Sequence, residues 1–251
     1  MVEASNVSSE VGHLVEALRT LTVPAKLDRQ LLLEQVISSK QSNQDFEYPT
    51  FDEVEQAQLA RIVDVLSGQE TAHLAEGGFI TLAMIRPSAD GSEPKSELFG
   101  LTDSEAAQRI IQTIIDERGE DLEPILVLPV VFSSEMVEEF YKGEPKANQE
   151  KVAPIRDPNR ERFQNRWEEF VDLMLSGPST VVIFYSPDAL AVERWRKVLG
   201  RNWRVKQNPP DTIRYRFAKA DTHNNIGHGS DSPGSVQREL GIIVDHLRSK
   251  L

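Results

Sequence analysis

Residues 79–85 read FITLAMI, a continuous apolar run with the length of a β-strand. Similar runs occur at 124–132 (PILVLPVVF) and 179–185 (STVVIFY), and 212–217 (TIRYRF) alternates like a half-buried strand. Helical patterns fall between these segments and after the last. The order from residue 79 onward therefore predicts a βαββαβ unit, an α+β ferredoxin-like sandwich with a four-stranded antiparallel sheet.

Amphipathic helices are expected between and after these strands. Ser133 and Ser134 are suited to cap one of them, Gly200 to end another, and Pro233 to stand in the first turn of the last. The expected helices cover residues 103–114, 134–141, 161–174, 188–199 and 233–247.

The chain before residue 76 has a different pattern. Apolar residues recur at helical spacing in three stretches, 11–21, 27–37 and 52–66. Residues 1–10 are expected to fray, and 38–51 to form a loop. We therefore divide the chain into a helical N-terminal extension, residues 1–75, and a main domain, residues 76–251. Two interpretations of the extension stay open: an appendage packed on the main domain, or an arm that binds a partner protein or a second copy.

The charge of the chain is uneven. Its 251 residues carry 28 basic and 40 acidic side chains, a formal net charge of −12. Residues 1–150 hold 11 basic and 28 acidic side chains, net −17, whereas residues 151–251 hold 17 and 12, net +5. An acidic chain argues against nucleic-acid binding, which requires a broad basic surface. The basic C-terminal part still suits a small phosphate-bearing ligand.

Several classes of site are excluded by composition. Cysteine is absent, which excludes disulfides, thiolate metal sites and a cysteine nucleophile. The five histidines show no metal-ligand spacing, so we predict no metal site built by the chain itself. The N-terminus lacks the regions of a signal peptide, and no apolar run has the length of a membrane span. We therefore expect a cytoplasmic protein without membrane contact.

The segment with the clearest chemistry is 225–240, NIGHGSDSPGSVQREL. Glycines flank His228, which leaves its ring accessible, and a helix N-terminus that favours anions follows three residues later. Glu239 could turn back from that helix and fix the tautomer of the imidazole, leaving the other nitrogen free to attack a phosphoryl group. The alternative is that His228 is an ordinary surface histidine in a glycine-rich loop.

This segment resembles the nucleoside diphosphate kinase family, whose Asn-x-x-His-Gly-Ser-Asp-Ser motif is followed by a helix that carries a Glu. The matching residues are Asn225, His228, Gly229, Ser230, Asp231, Ser232 and Glu239. Shorter matches occur in the family's order at 84–87, 141, 176–178, 196–200 and 212–214. The chain is thus similar to a divergent member of the family with an N-terminal helical extension, over about residues 78–248.

The resemblance implies a ping-pong phosphotransfer that uses Mg²⁺. His228 would take the γ-phosphate of a nucleoside triphosphate as a phosphohistidine and pass it to a nucleoside diphosphate. Glu239 would orient His228, and Ser230 would support Glu239. The implied nucleotide-binding residues are Arg86, Tyr141, Arg196, Asn202, Arg214 and Asn225. Forked guanidinium groups suit phosphate oxygens, and Asn225 would contact the ribose.

Some positions depart from the family pattern. Arg86 stands where the family has Lys, and the larger planar group is not a neutral exchange. Asn202 replaces a Thr, and the place of the base-stacking aromatic falls on Arg166 or Trp167, the second of which suits a core equally well. Two functions therefore stay open: an active nucleoside diphosphate kinase, or a catalytically impaired relative that acts as a nucleotide-binding or protein-interaction module.

Assembly is open as well. Family members usually form homo-oligomers, so the resemblance implies self-association. The N-terminal helices and the long stretches 88–103 and 142–160 alter surfaces through which such contacts would be made.

Overall fold

The strands form one antiparallel sheet. The structure is a computed structural model that describes residues 3–87, 112, 115–142, 160–201, 205–218 and 227–251. Its strands are β1 (Ile80–Ile85), β2 (Glu123–Val130), β3 (Ser179–Tyr185) and β4 (Gly227–Gly229). They lie side by side in the order β2-β3-β1-β4, with each neighbouring pair antiparallel. This order, in which β3 lies between β1 and β2, confirms the predicted ferredoxin-like sheet.

Both faces of the sheet are covered, which explains why its strands read as continuous apolar runs. Along β1, Leu82 and Met84 point into one hydrophobic cluster, and Ala83 and Ile85 point into a second cluster on the opposite face. Every residue of β1 is buried.

The helices have the following bounds: α1 Glu3–Arg19, α2 Arg29–Gln41, α3 Glu53–Ser67, α4 Gln69–Glu76, α5 Ser134–Lys142, α6 Arg160–Met174, α7 Ala191–Leu199, α8 Ile213–Phe217 and α9 Pro233–Arg248. As predicted, Gly200 ends α7 with a positive φ of 97°, and Pro233 opens α9 after the N-cap Ser232. Within the part of the chain described, no helix is both long and apolar enough to cross a bilayer.

The predicted fourth strand is wrong. Residues 212–217 form α8, in which the Thr212 side chain accepts a hydrogen bond from the Tyr215 N–H as an N-cap. The same alternation places Ile213 and Phe217 four residues apart, on one helical face, where both pack into the second cluster. The strand beside β1 is instead β4, the three residues Gly-His-Gly.

Smaller differences concern boundaries. The segment expected to fray is helical from Glu3, and the predicted loop at 38–51 begins only after α2 ends at Gln41. Helix α4 was not predicted at all. Helix α7 begins three residues late because Ala189 has a positive φ of 60°, which a helix does not allow. The helix predicted over 103–114 lies almost entirely outside the described residues.

The N-terminal helices pack on the main domain. Leu18, Leu32, Leu59 and Leu74 belong to the same hydrophobic cluster as the inner face of β1 and the buried side of α9. The structure thus shows the first of the two interpretations, an appendage packed on the sheet.

Candidate active site

His228 lies on β4, opposite Met84 of the central strand β1. Its Nε2 is 3.0 Å from Oε2 of Glu239, and the two side chains are 13% and 0% exposed. Because a carboxylate can only accept, this contact places the ring proton on Nε2 and leaves the lone pair on Nδ1. Among the described residues, no hydrogen bond is made to Nδ1. The histidine is therefore held in the tautomer that a nucleophile needs.

Glu239 has donors on both of its oxygens. Ser230 Oγ donates to Oε2 at 2.6 Å, and a guanidinium nitrogen of Arg238 lies 3.4 Å from Oε1. Burying a carboxylate is costly unless such donors replace water. Ser230 therefore contacts the buried carboxylate through a short hydrogen bond.

Two aromatic rings of α5 close one side of the imidazole. The Phe140 ring lies 5.2 Å from the His228 ring at 71°, and the Tyr141 ring lies 5.5 Å away at 82°. Edge contacts of this kind are favourable and restrict ring rotation. Burial raises the pKa of Tyr141, while the charge of Arg86 acts in the opposite direction. Tyr141 is thus a neutral phenol beside the histidine.

Arg86 follows directly after β1 and is only 6% exposed. It donates to the Tyr141 hydroxyl at 3.4 Å, and its guanidinium carbon lies 5.0 Å from the centre of the Phe170 ring. Contacts of a guanidinium with aromatic faces are stabilising. At the position where the resemblance implies a lysine, Arg86 therefore keeps a positive charge next to Tyr141.

Arg214 supplies a second cation. It donates to the carbonyl of Gly200 at 2.8 Å and to the carbonyl of Gly227, next to His228, at 3.2 Å. Burial, with the charges of Arg86 and Arg196, lowers the pKa of Arg214 to about 9. Mutual repulsion of cations in a desolvated site favours an anionic ligand.

Arg196 pairs with a carboxylate in this structure. Its guanidinium forms an ion pair with Asp231, and it lines a cavity of about 410 Å³ with Glu193, Arg201 and Ser232. Burial, followed by the charge of Arg201, lowers the pKa of Arg196. The structure brings Glu239 and Tyr141 into contact with His228. Ser230 reaches the site through Glu239, and Arg86 through Tyr141. Arg196 is instead joined to the carboxylate of Asp231.

Other predicted residues are only partly visible. Asn202 and Asn225 lie outside the described residues, as does the side chain of Arg166. Trp167 packs against Phe170 with ring centres 5.6 Å apart, at the edge of the hydrophobic cluster. The described ranges contain no group of three His, Asp or Glu side chains placed to hold a metal ion.

Two residues that contact the site were missed from the sequence. Trp195 of α7 donates from its indole nitrogen to the His228 carbonyl at 3.2 Å. Arg238 lies beside Glu239 and also donates to backbone carbonyls of α5. The signals were weak: a tryptophan on the buried face of a helix, and a basic residue next to the motif Glu.

The fold and the site together define a ferredoxin-like protein with a carboxylate-bound histidine beside two arginines. The nucleoside diphosphate kinase family model matches residues 102–248, more than half of the chain. The chain therefore belongs to the nucleoside diphosphate kinase family.

Individual relatives are similar over shorter stretches. The nucleoside diphosphate kinase of Streptococcus uberis is 30% identical over 106 residues, which cover 37% of this chain and 72% of that protein. The enzyme of Corynebacterium jeikeium is 40% identical over 79 residues, 32% of this chain and 56% of its own length. Human nucleoside diphosphate kinase 6 is 38% identical over 79 residues, 31% of this chain and 41% of the human protein. The chain thus spans about half the length of the last two relatives.

The crystal structure of nucleoside diphosphate kinase from Encephalitozoon cuniculi aligns with a TM-score of 0.44 at 23% identity, over 65% of this chain and 86% of that one.

Proposed function

We propose that this chain transfers the γ-phosphate of a nucleoside triphosphate to a nucleoside diphosphate through a phosphohistidine on His228 Nδ1. The observation that carries the proposal is the 3.0 Å contact between His228 Nε2 and Glu239, which directs the lone pair of the ring to Nδ1. Family membership supports nucleotides as the substrate class.

The proposed first step forms a bond between His228 Nδ1 and the γ-phosphorus. The bond from that phosphorus to the bridging oxygen breaks, and the nucleoside diphosphate leaves with the electron pair. The imidazole then carries the phosphoryl group on Nδ1 and the proton on Nε2. Its positive charge is balanced by the buried Glu239 carboxylate.

The second step reverses the first. A terminal phosphate oxygen of the acceptor diphosphate attacks the phosphorus, the phosphorus–nitrogen bond breaks, and its electron pair returns to Nδ1. Arg86 and Arg214 would hold the phosphates, since each brings a guanidinium to the surroundings of His228. Arg196 would join them only after release from Asp231. Asn202 and Asn225 keep the nucleotide-binding roles that the family resemblance implies.

Mg²⁺ is proposed to enter with the nucleotide. Magnesium keeps several waters and commonly binds substrate phosphates rather than a cage of protein ligands. The cationic surroundings of Arg86 and Arg214 suit a phosphate chain that carries such an ion. When bound, Mg²⁺ would neutralise charge that develops on the phosphate oxygens.

The test is phosphorylation of the purified protein with γ-labelled ATP and Mg²⁺. We expect an acid-labile, alkali-stable label on His228 that is discharged by added nucleoside diphosphate. His228→Ala should abolish the label, and His73→Ala, at an exposed histidine of α4, should leave it unchanged. Nucleotide binding without any label would instead support the impaired, binding-only interpretation.

A cytoplasmic location, self-association and a partner contact through the N-terminal helices stay predictions from the sequence.

A further inference from the structure

Arg238 connects two elements that hold His228. Its Nη1 atom donates to the backbone carbonyls of Glu139 at 3.3 Å and Phe140 at 3.0 Å, both in α5. Its Nη2 atom lies 3.4 Å from Oε1 of Glu239. One guanidinium therefore contacts both the carboxylate that binds the imidazole and the helix whose rings face it.

The contacts with α5 act on the aromatic side of the site. The last carbonyls of a helix have no donors within the helix, and arginine side chains commonly satisfy them. Phe140 and Tyr141 lie in this last turn, and their rings make T-shaped contacts with the His228 ring. A donor that fixes the carbonyls of this turn also fixes the two rings.

The contact of Arg238 with Glu239 acts on the carboxylate that binds the His228 ring. Oε2 accepts hydrogen bonds from His228 Nε2 and from the Ser230 hydroxyl, and Arg238 donates to the other carboxylate oxygen, Oε1. A buried carboxylate with donors on both oxygens is restricted to one orientation, and removing a charged partner is expensive. The orientation of the carboxylate sets the direction of the imidazole.

We propose that Arg238 is a positioning residue, which locks Glu239 and α5 to each other so that the His228 ring stays in its Nε2–H tautomer with Nδ1 free. The kinetic consequence rests on the proposed phosphotransfer, whereas the structural consequence does not. Arg238 itself forms no part of the reacting groups.

The test compares Arg238→Gln and Arg238→Lys with Arg248→Gln. Arg248 lies on the same helix and pairs with Asp245 at the surface, at 2.7 Å, which makes it a matched control. In Arg238→Gln we expect the rate of His228 labelling by ATP to fall about 10- to 100-fold, as for small misplacements of reacting groups, with KM unchanged. Arg238→Lys keeps the positive charge but lacks the forked donors of the guanidinium group, so we expect an intermediate loss of labelling rate. Arg248→Gln should label at the wild-type rate.

The second measurement is the ¹⁵N NMR spectrum of the His228 ring in the protein without nucleotide. We expect the Nε2–H tautomer to dominate in the wild type and the Nδ1–H form to gain population in Arg238→Gln. An unchanged tautomer ratio, an unchanged labelling rate, or a loss confined to KM would overturn the proposal. If the wild type is never labelled, the proposed function fails, while the NMR comparison still decides the role of Arg238.

Discussion

Replacing Gly229 by alanine should push β4 away from α7. An added Cβ would lie 2.5 Å from the indole nitrogen of Trp195 and closer still to its Cδ1 atom. The indole cannot retreat, because Trp195 is 0% exposed and stacks on Phe184 with ring centres 4.9 Å apart. The strand that carries His228 must therefore move.

The cost has two parts. Forcing an extra methyl group into a packed core costs about 1–3 kcal/mol. The bond from the Trp195 indole to the His228 carbonyl, 3.2 Å long, is strained or broken as well, which adds about 0.5–1.5 kcal/mol. We expect the unfolding free energy to fall by about 2–4 kcal/mol. In a protein of this size that lowers the melting temperature by about 4–16 °C.

Thermal and urea unfolding measure the effect, and the labelling assay measures whether the displaced strand still presents His228. Gly241→Ala is the control, because a Cβ there meets nothing within 4 Å inside α9. It should stabilise the protein by about 0.5–1 kcal/mol. A Gly229→Ala protein that has the wild-type melting temperature and the wild-type labelling rate would refute the packing argument.

Three further predictions concern single side chains. Glu239→Gln replaces an acceptor by a group that also donates, so the tautomer is no longer fixed and labelling should slow by about 100-fold in rapid-quench experiments. Arg86→Lys removes the guanidinium plane, 5.0 Å from the Phe170 ring, and should lower the unfolding free energy in urea by about 1 kcal/mol; unchanged stability would contradict it. Burial, with the charge of Lys250, lowers the pKa of His246 from 6.5 to about 4, so protonation favours the unfolded chain. The free energy of unfolding should therefore fall by up to about 3 kcal/mol between pH 6.5 and pH 4. In His246→Gln the fall should be smaller. Urea unfolding of both proteins at the two pH values measures the difference.

The three long strands could be predicted because a strand that is buried on both faces has a continuous run of apolar residues in its sequence. Every residue of 80–85 is buried, and from Leu82 to Ile85 the side chains alternate between the two clusters, so the apolar run itself indicates a strand. Strand β4, Gly227–Gly229, has no such apolar run, and only its pairing with β1 defines it as a strand. The six residues 212–217 satisfy both a strand and a helix period, and only the packing of Ile213 and Phe217 decides between them.

The contacts of the site also fall into two groups, those that sequence spacing predicts and those that depend on packing. His228, Ser230 and Glu239 lie in one strand, turn and helix, so their proximity follows from spacing along the chain. The contacts of Trp195 and Arg238 depend on how α7, α9 and α5 pack, which short-range patterns do not encode. The ion pair between Arg196 and Asp231 belongs to this second group as well.

The N-terminal extension reaches the same site through packing. The Tyr48 hydroxyl accepts a hydrogen bond from the Val131 N–H at 2.7 Å and lies 3.1 Å from His246 Nε2 of α9. Val131 follows β2 and leads, through Ser133, into α5, whose aromatic rings face His228. Tyr48 thus bridges the start of the segment that enters α5 and the end of the helix that carries Glu239. Because the extension also shares its hydrophobic cluster with the sheet, the boundary near residue 75 is a change in secondary structure and not a gap between two cores. The elements that position the histidine are therefore stabilised in part by residues that precede the family domain.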